Sequence, residues 1–441
     1  MHIAFLTLFL GLISGRVPVE LAVTGPGPAT PGITAIELLL DGAPAGRLAG
    51  PPFRGQVDLG KALLPHHLEA RGLDAKGAEV ARAEQWLNLP QPSAEVDLVP
   101  ETRADGRISA VRLAFRSVLH EPPRAVTASL DGAPLKVDRG AVTLPHYSQE
   151  VPHLLSVEAR FSQGPTARRH LAFGGSLGSE ASTELTAVPV RMRDALPRAT
   201  ELGGWFTTGS QALTLKAVEA GPGEILLVRD PNVPPAALEI GQRAAPYGEL
   251  SLPRFELSLA AEDRVRLVDP GASWFSGEGG TSALFHASPE LDSSKAGLYW
   301  RLAQTFLEQG SGAPHMADAV AVAGVQALFA NRRRAVLLVL SGDATDVSRY
   351  DPATVRRYLA AIRVPLYVWS LYRPPYPAAI AAWGAVEDVS TLAQMRRAYR
   401  RLSRDLASQR ILWFDGRHLP QSIALSPAAE KSIELVAGPE R

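Results

Sequence analysis

The sequence predicts two all-β sandwiches followed by an α/β doubly wound domain, and three observations carry that expectation. Two short words recur in the same order in the first half of the chain. Hydrophobic periodicity changes after about Leu185, from two-residue alternation to continuous apolar runs interleaved with helical patterns. The length of 441 residues fits roughly three domains of ~150 residues each.

Composition narrows the function classes. Apolar residues make up 46% of the chain and charged residues 20%, which describes a folded protein. The 45 basic and 45 acidic residues cancel, so no global field points to nucleic acid or to anionic lipid, and no nucleic-acid partner is expected. The arginine clusters Arg332–Arg334 and Arg400/Arg401/Arg404 read as solvated helix ends and faces. The chain has no cysteine, which removes disulfides, thiolate nucleophiles and Cys-type zinc sites together and leaves the compartment open.

At the N-terminus, Ile3–Ile13 is an apolar run of about secretory-signal length, followed by the small residues Ser14-Gly15. No Lys or Arg precedes it, and it is short of the ~20 residues that span a bilayer. It reads as a buried first strand, with Val17–Val23 as the next, and no integral membrane segment is expected. On that reading any export signal lies upstream of Met1.

The repeat defines the β half. Leu40-Asp41-Gly42-Ala43-Pro44 recurs as Leu130-Asp131-Gly132-Ala133-Pro134, and LPHHLEAR (Leu64–Arg71) recurs as VPHLLSVEAR (Val151–Arg160). Matched words in matched order indicate two copies of one unit. Asp-Gly tolerates positive φ and closes a tight hairpin after the apolar strands Ile36–Leu40 and Ala125–Leu130. The Pro-His word opens a strand that alternates, with Leu68, Ala70 and Gly72 on one face and Glu69 and Arg71 on the other. Residues 1–92 and 93–175 are the two expected sandwiches, and 176–189 is the expected linker.

The second half alternates strands and helices. Glu224–Val228, Ala335–Leu340 and Val364–Leu371 read as strands buried on both faces. Ala296–Leu307, Met316–Phe329, Thr354–Ile362 and Thr391–Leu406 read as helices; in the last, Leu392, Met395, Tyr399, Leu402 and Leu406 recur at steps of three and four. Ile411–Phe414 is expected to close the sheet. This order implies a parallel sheet covered by helices over 190–417, with 418–441 as a C-terminal extension.

Two resemblances attach to these words. IELLLDGAPAGRL, PPFRGQVDLG and HLEARGLDAKG resemble the immunoglobulin-like modules appended to many bacterial exported proteins. That implies a spacer or binding scaffold and an exported location, periplasm or cell envelope, with the cytoplasm left open. GGWFTTGSQALTLKAVEAGPGEILLVRD and RRAVLLVLSGDATDVSRYDPATVRRYLAAIRVPLYVWSL resemble the von Willebrand factor A (VWA) domain of divergent bacterial VWFA-related proteins. That resemblance implies a VWA/Rossmann-like fold and a divalent cation at the carboxyl ends of the strands. The family holds the ion with Asp-x-Ser-x-Ser, a Thr and an Asp.

This chain departs from that pattern. The first loop reads Asp230-Pro231-Asn232-Val233-Pro234, without the serines. The second, Gly312–Asp318, has Ala or Pro where the Thr belongs, and the third, Ser341–Asp346, has Gly where the Asp belongs, with Asp343 one place late. Hard cations want several oxygen ligands, so a degenerate, metal-free site is expected. The alternative is a Mg²⁺ or Ca²⁺ gripped through waters by Asp230, Asp343 and Asp346. Asp230, Asn232, His315, Asp343 and Asp346 are the partner-binding candidates.

Other motifs carry less. Gly174-Gly175-Ser176-Leu177-Gly178 matches the nucleophile-elbow pattern in letters, but a β-domain strand precedes it and no helical pattern follows at once. His66, His67 and His153 stand in the repeated word and read as structural hydrogen-bonders; Trp205, Trp274, Trp369, Trp383 and Trp413 read as core or rim packing. The expectation is a non-enzymatic protein-interaction or adhesion/assembly protein with no cofactor and an unnamed protein partner. A metal-dependent adhesion module is the second reading, and a serine hydrolase around Ser176 the third.

Overall fold

The computed structural model describes residues 2–437 except 8, 10, 25–31, 91–93, 104, 118–121, 162–165, 176–180, 183, 194–201, 232–258, 261, 272, 278–279, 286, 289–290, 293–312 and 342–345. The first β-unit contains β1 (His2–Phe5), β2 (Arg16–Thr24), β3 (Ala35–Leu40), β4 (Ala43–Ala49), β5 (Phe53–Asp58), β6 (His66–Leu73) and β7 (Glu79–Leu87). They form two sheets in the orders β1-β2-β5 and β4-β3-β6-β7. β6 alternates buried and half-buried positions along its whole length, as two-residue periodicity demands of a strand with one face on a core. Ile3 is buried in that core with Val19, Ile36, Leu38, Leu68 and Leu87, but the first strand is shorter than the apolar run that announced it.

The second unit contains β8 (Ala94–Thr102), β9 (Ile108–Ser117), β10 (Ala125–Leu130), β11 (Ala133–Leu135), β12 (Val137–Asp138), β13 (Ala141–Thr143), β14 (Pro152–Arg160), β15 (Thr166–Gly174) and β16 (Ala181–Ser182). Its sheets run β8-β9-β13-β12 and β11-β10-β14-β15-β16. Apart from the added β12 and β16, this is the strand order of the first unit.

The repeated words turn out to be two halves of one clamp. Asp41 and Asp131 both sit at positive φ, 53° and 51°, at the start of their hairpin turns. The Asp41 carboxylate meets His66 Nδ1 at 2.7 Å and accepts from the His67 amide at 2.8 Å. The Asp131 carboxylate meets His153 Nδ1 at 2.6 Å and accepts from the Leu154 amide at 2.8 Å. The Asp-Gly word makes the turn, and the Pro-His word on the neighbouring strand holds its aspartate.

A third β-unit follows, which the sequence did not announce. β17 (Leu185–Met192), β18 (Phe206–Thr208), β19 (Gln211–Ala212) and β20 (Leu215–Glu219) precede the α/β layers; β29 (Gln409–Asp415), β30 (Ile423–Leu425) and β31 (Ile433–Leu435) follow them. These strands pair as β20-β29-β17-β31 and β19-β18-β30 around Val188, Val190, Phe206, Leu412, Phe414, Ile423 and Ile433. Ile411–Phe414 therefore does not close the parallel sheet: β29 runs antiparallel between β17 and β20. Likewise the residues expected as an extension beyond 417 supply β30 and β31. An apolar run such as ILWF is compatible with either sheet, and nothing local to it names its partner.

Between β20 and β29 lie β21 (Gly223–Arg229), β22 (Arg264–Val268), β23 (Ser273–Gly277), β24 (Gly280–Leu284), β25 (Leu291–Asp292), β26 (Arg333–Leu340), β27 (Leu366–Ser370) and β28 (Val386–Asp388). β23 and β24 pair with each other, and the other six form one sheet in the order β25-β22-β21-β26-β27-β28. All neighbours in it are parallel except β25. β21 and β26 are buried at every position, which is why they read as unbroken apolar runs. Helices α1 (Met316–Phe329) and α2 (Pro352–Ala361) cover Leu226, Val228, Val336 and Leu338, and α4 (Leu392–Ser408) covers Ile225, Leu227, Leu337 and Val339. The short α3 (Ala378–Ala381) adds Ile380 to the first face. α2 starts at Asp351, whose carboxylate accepts from the Thr354 amide at 2.8 Å; α4 starts with a Thr391/Gln394 capping box. The expected helix Ala296–Leu307 lies outside the described residues.

Side chains join the units. Tyr358 on α2 donates its hydroxyl to the Asn88 carbonyl at 2.8 Å, Tyr350 to the Leu12 carbonyl at 2.9 Å, and Gln421 Nε2 reaches the Pro65 carbonyl at 2.8 Å. At the base of the insertion, Arg333 donates to the Gly221 and Leu406 carbonyls at 2.7 and 3.0 Å and to Asp263 at 3.0 Å. Beside it, the Gln409 amide group exchanges two bonds with the Arg334 backbone, at 2.9 and 3.0 Å.

Candidate functional site

In the parallel sheet the chain leaves β21 toward β22 on one side and continues from β26 to β27 and β28 on the other. The strand order reverses between β21 and β26, and open sheets of this kind carry their crevice there, beyond the carboxyl ends of the strands. Asp230 is the first residue past β21 and is fully buried. Its amide donates to the Val339 carbonyl at 2.9 Å, and its carboxylate accepts from the Ser341 amide at 3.2 Å and from the Ser341 hydroxyl. Arg229 lies just before it, buried at the strand end. Burial pushes its guanidinium pKa down, against the pull of Asp230 and Asp269.

Asp346 and His315 serve the start of α1 instead. Asp346 accepts from the amides of Met316 at 3.0 Å and Ala317 at 3.2 Å, the unpaired donors that open α1. It also accepts from the Ser348 hydroxyl at 2.6 Å. Asp318, in the first turn of α1, returns the contact by accepting from the amides of Arg349 and Tyr350 at 2.9 and 3.2 Å. Residues 346–350 are thus laced to the start of α1. His315 stands beside Asp318, with Nδ1 3.7 Å from its carboxylate, and its amide donates to the Pro270 carbonyl. Asn232, Asp343 and Ser176 lie outside the described residues. Among the described residues no three His, Asp or Glu side chains are grouped to hold a metal ion.

Sequence reasoning missed three residues of this rim. Ser341 follows β26 as Asp230 follows β21, and the parallel register that sets Arg229 beside Val339 brings the two together. The signal was available: each is the first polar residue after a fully buried strand. Val347, in the loop beyond β26, and Tyr372, just beyond β27, are 48% and 47% exposed. The turn carrying Tyr372 is pinned by Ser370, whose hydroxyl bonds both the amide and the carbonyl of Tyr372 at 3.0 Å. The tryptophans behave otherwise: Trp369, Trp383 and Trp413 are buried.

A second polar cluster lies where the second β-unit meets the insertion. A cleft of about 270 Å³ is lined there by Glu158, Arg168, His170, Glu219 and Arg332, among others. Glu158 on β14 binds Arg160 at 2.9 Å, Arg168 at 2.8 Å and, across the joint, Arg332 at 2.9 Å. Burial works to raise its pKa, but Arg168, Arg332 and Arg160 outweigh it and hold the carboxyl at about 2. His170 packs against Trp413 with ring centroids 4.1 Å apart and the planes tilted by 41°, and burial, reinforced by Arg168, Arg169 and Arg332, lowers its pKa to about 3. Burial raises the pKa of Glu219, although it accepts from Trp413 Nε1 at 3.2 Å.

Comparison with known proteins gives partial likenesses only. No family model and no curated protein matches the chain. Among solved structures, the fibronectin(III)-like modules of Clostridium thermocellum CbhA match 39% of this chain and 93% of theirs, at 12% identity and a TM-score of 0.16. The ArnB paralog VWA2 from Sulfolobus acidocaldarius matches over 62% of this chain and 53% of its own, at 12% identity and a TM-score of 0.23. The human COPII-coat protein Sec24c matches over 48% and 43%, at 11% and 0.27. The matches thus span about half the length of the last two proteins. At these scores they assign no function, and the architecture rests on the strand pairings themselves.

Proposed function

We propose that this chain is a non-enzymatic, exported protein-binding array, in which β-units carry a VWA-like α/β unit that engages a protein partner through its strand-end rim, without a metal ion. One observation carries the reading: Tyr372 and Val347 stand exposed beyond the ends of the adjacent strands β27 and β26, on the rim where such sheets take their ligands. An exposed tyrosine on a pinned turn loses little freedom on binding, and tyrosine is enriched among the residues that dominate interface energies. Metal independence is supported by Asp346, whose carboxylate oxygens both serve the first turn of α1. Export rests on the resemblance of the β-words to modules of exported proteins.

The test uses the full chain as bait for its partner, with Tyr372→Ala/Val347→Asp alongside. The double change is expected to weaken capture at least about thirtyfold, the scale of one interface hot spot, and EDTA is expected to leave it unchanged. Capture that survives the double change sinks the rim. Mg²⁺- or Ca²⁺-dependent thermal stabilisation that Asp230→Ala abolishes would replace this reading with the metal-dependent one.

A further inference from the structure

Every charged side chain on the outer face of α4 is an arginine. Ala393, Arg397, Arg400, Arg404 and Ala407 are all exposed and follow one another at steps of four, three, four and three residues, with Arg401 exposed beside them. That spacing keeps them on one stripe of the helix. The opposite face is committed to the sheet, where Met395, Ala398, Tyr399, Leu402 and Leu406 are buried. Arg401 pairs with Glu387 at 3.4 Å, and among the described residues no ion pair or hydrogen bond engages Arg397, Arg400 or Arg404. The one acidic residue of the helix, Asp405, is turned to Tyr367, whose hydroxyl it accepts at 2.7 Å. In a chain whose 45 basic and 45 acidic residues cancel, this stripe is a local excess rather than part of a general field.

The chemistry of the stripe selects its partner. Every cation on it is a guanidinium, which pairs carboxylates in a planar, two-pronged geometry that an ammonium does not offer. No large apolar side chain is left on the outer face to enter a lipid interface, and a helix lying on a membrane needs one. No aromatic ring stands among the arginines to stack a base, as single-stranded nucleic-acid sites require. The alanines at each end allow close approach along the axis, and Arg397 to Arg404 spans ~10 Å of it. We propose that the outer face of α4 docks an acidic helical segment of a partner protein, with carboxylates at three- and four-residue spacing paired to Arg397, Arg400, Arg401 and Arg404. The surface is separate from the strand-end rim and does not depend on it.

The probe is a fluorescein-labelled helical peptide carrying glutamates at i, i+4, i+7 and i+11, titrated against the full chain by fluorescence polarisation. A peptide with glutamine at those four positions is the control. The glutamate peptide is expected to bind, to weaken about tenfold between ~50 and ~200 mM salt, and to be lost on Arg397→Glu/Arg400→Glu/Arg404→Glu. Because these side chains are solvent-facing, the triple variant should keep its circular dichroism spectrum and melting profile. Three results overturn the proposal: no binding of the glutamate peptide, equal binding of the glutamine peptide, or binding that survives the triple change. Co-sedimentation with vesicles of one-third phosphatidylserine, or binding of a thymidine oligonucleotide, without peptide binding would assign the stripe to lipid or nucleic acid instead.

Discussion

The two N-terminal β-units share a strand order, an Asp–His clamp and a Glu-Ala-Arg word on the clamped strand, yet that word does different work in each. In the first unit Glu69 on β6 binds Arg71 and approaches Arg82, arginines of its own sheet that are 33% and 52% exposed. In the second, Glu158 stands two positions further along its strand β14 and gathers Arg168 and Arg332, which are 8% and 14% exposed, and Arg332 belongs to the inserted α/β unit. Duplication preserved the local ion pair and its strand; the second copy gained a joint. The comparison teaches that a carboxylate's value depends on whether its partners can return to water when it leaves.

That difference is measurable. Glu158→Gln leaves two nearly buried guanidinium groups without their counter-charge and should cost about 3 kcal/mol, read as lost amide protection of β14 in native-state hydrogen exchange. Glu69→Gln should cost about 1 kcal/mol or less, because its arginines resolvate. Equal losses would break the comparison.

Acid should sharpen it. Glu158 titrates at about 2 in the folded chain, below its ordinary value of 4.5, so its contribution is complete above 4.5 and is lost as pH falls toward 2. His170 is lowered from 6.5 to about 3, so the unfolded chain takes up its proton first and stability declines between those values. Both effects run in the same direction at one joint. Protection of β14 and β15 should therefore fall between pH 6.5 and 4 while that of β6 changes little, because Asp41 of its clamp is held below 3.8, and Glu158→Gln should flatten the part of the fall below 4.5.

The smallest expected difference concerns the clamps. Asp41→Ala and Asp131→Ala each remove two hydrogen bonds from a residue at positive φ and should each cost about 2 kcal/mol. Hydrogen exchange of β3 and β10 should show nearly equal losses; a large inequality would mean that one clamp also serves a contact outside its unit.

Much of this was legible in the sequence, for identifiable reasons. The duplicated words were visible because a clamp needs both halves in each copy. β21 and β26 were visible because burial on two faces leaves unbroken apolar runs, and α4 because its stripe of five buried residues follows helical spacing. The third β-unit was not legible: its strands stand in two groups, before and after the insertion, and pairing across that distance leaves no local mark. At the rim, Asp230 was found because the VWA resemblance places the first metal loop of the family at Asp230–Pro234. Ser341 carries no charge to mark it as a ligand, and the contact of Asp346 with the start of α1 was not legible because that helix begins thirty residues earlier, at Met316.

The placement of the α/β unit has a mechanical consequence. β20 and β29 are antiparallel neighbours with Glu219 opposite Ile411, so the whole inserted unit is, in topological terms, the loop of one hairpin. Its two ends are held about one strand spacing apart, ~4.8 Å, and the entropy of closing so large a loop grows only with the logarithm of its length. Tension along the backbone crosses the mouth of that hairpin through the β20-β29-β17 ladder. The α/β unit hangs outside the load path until β29 is torn away.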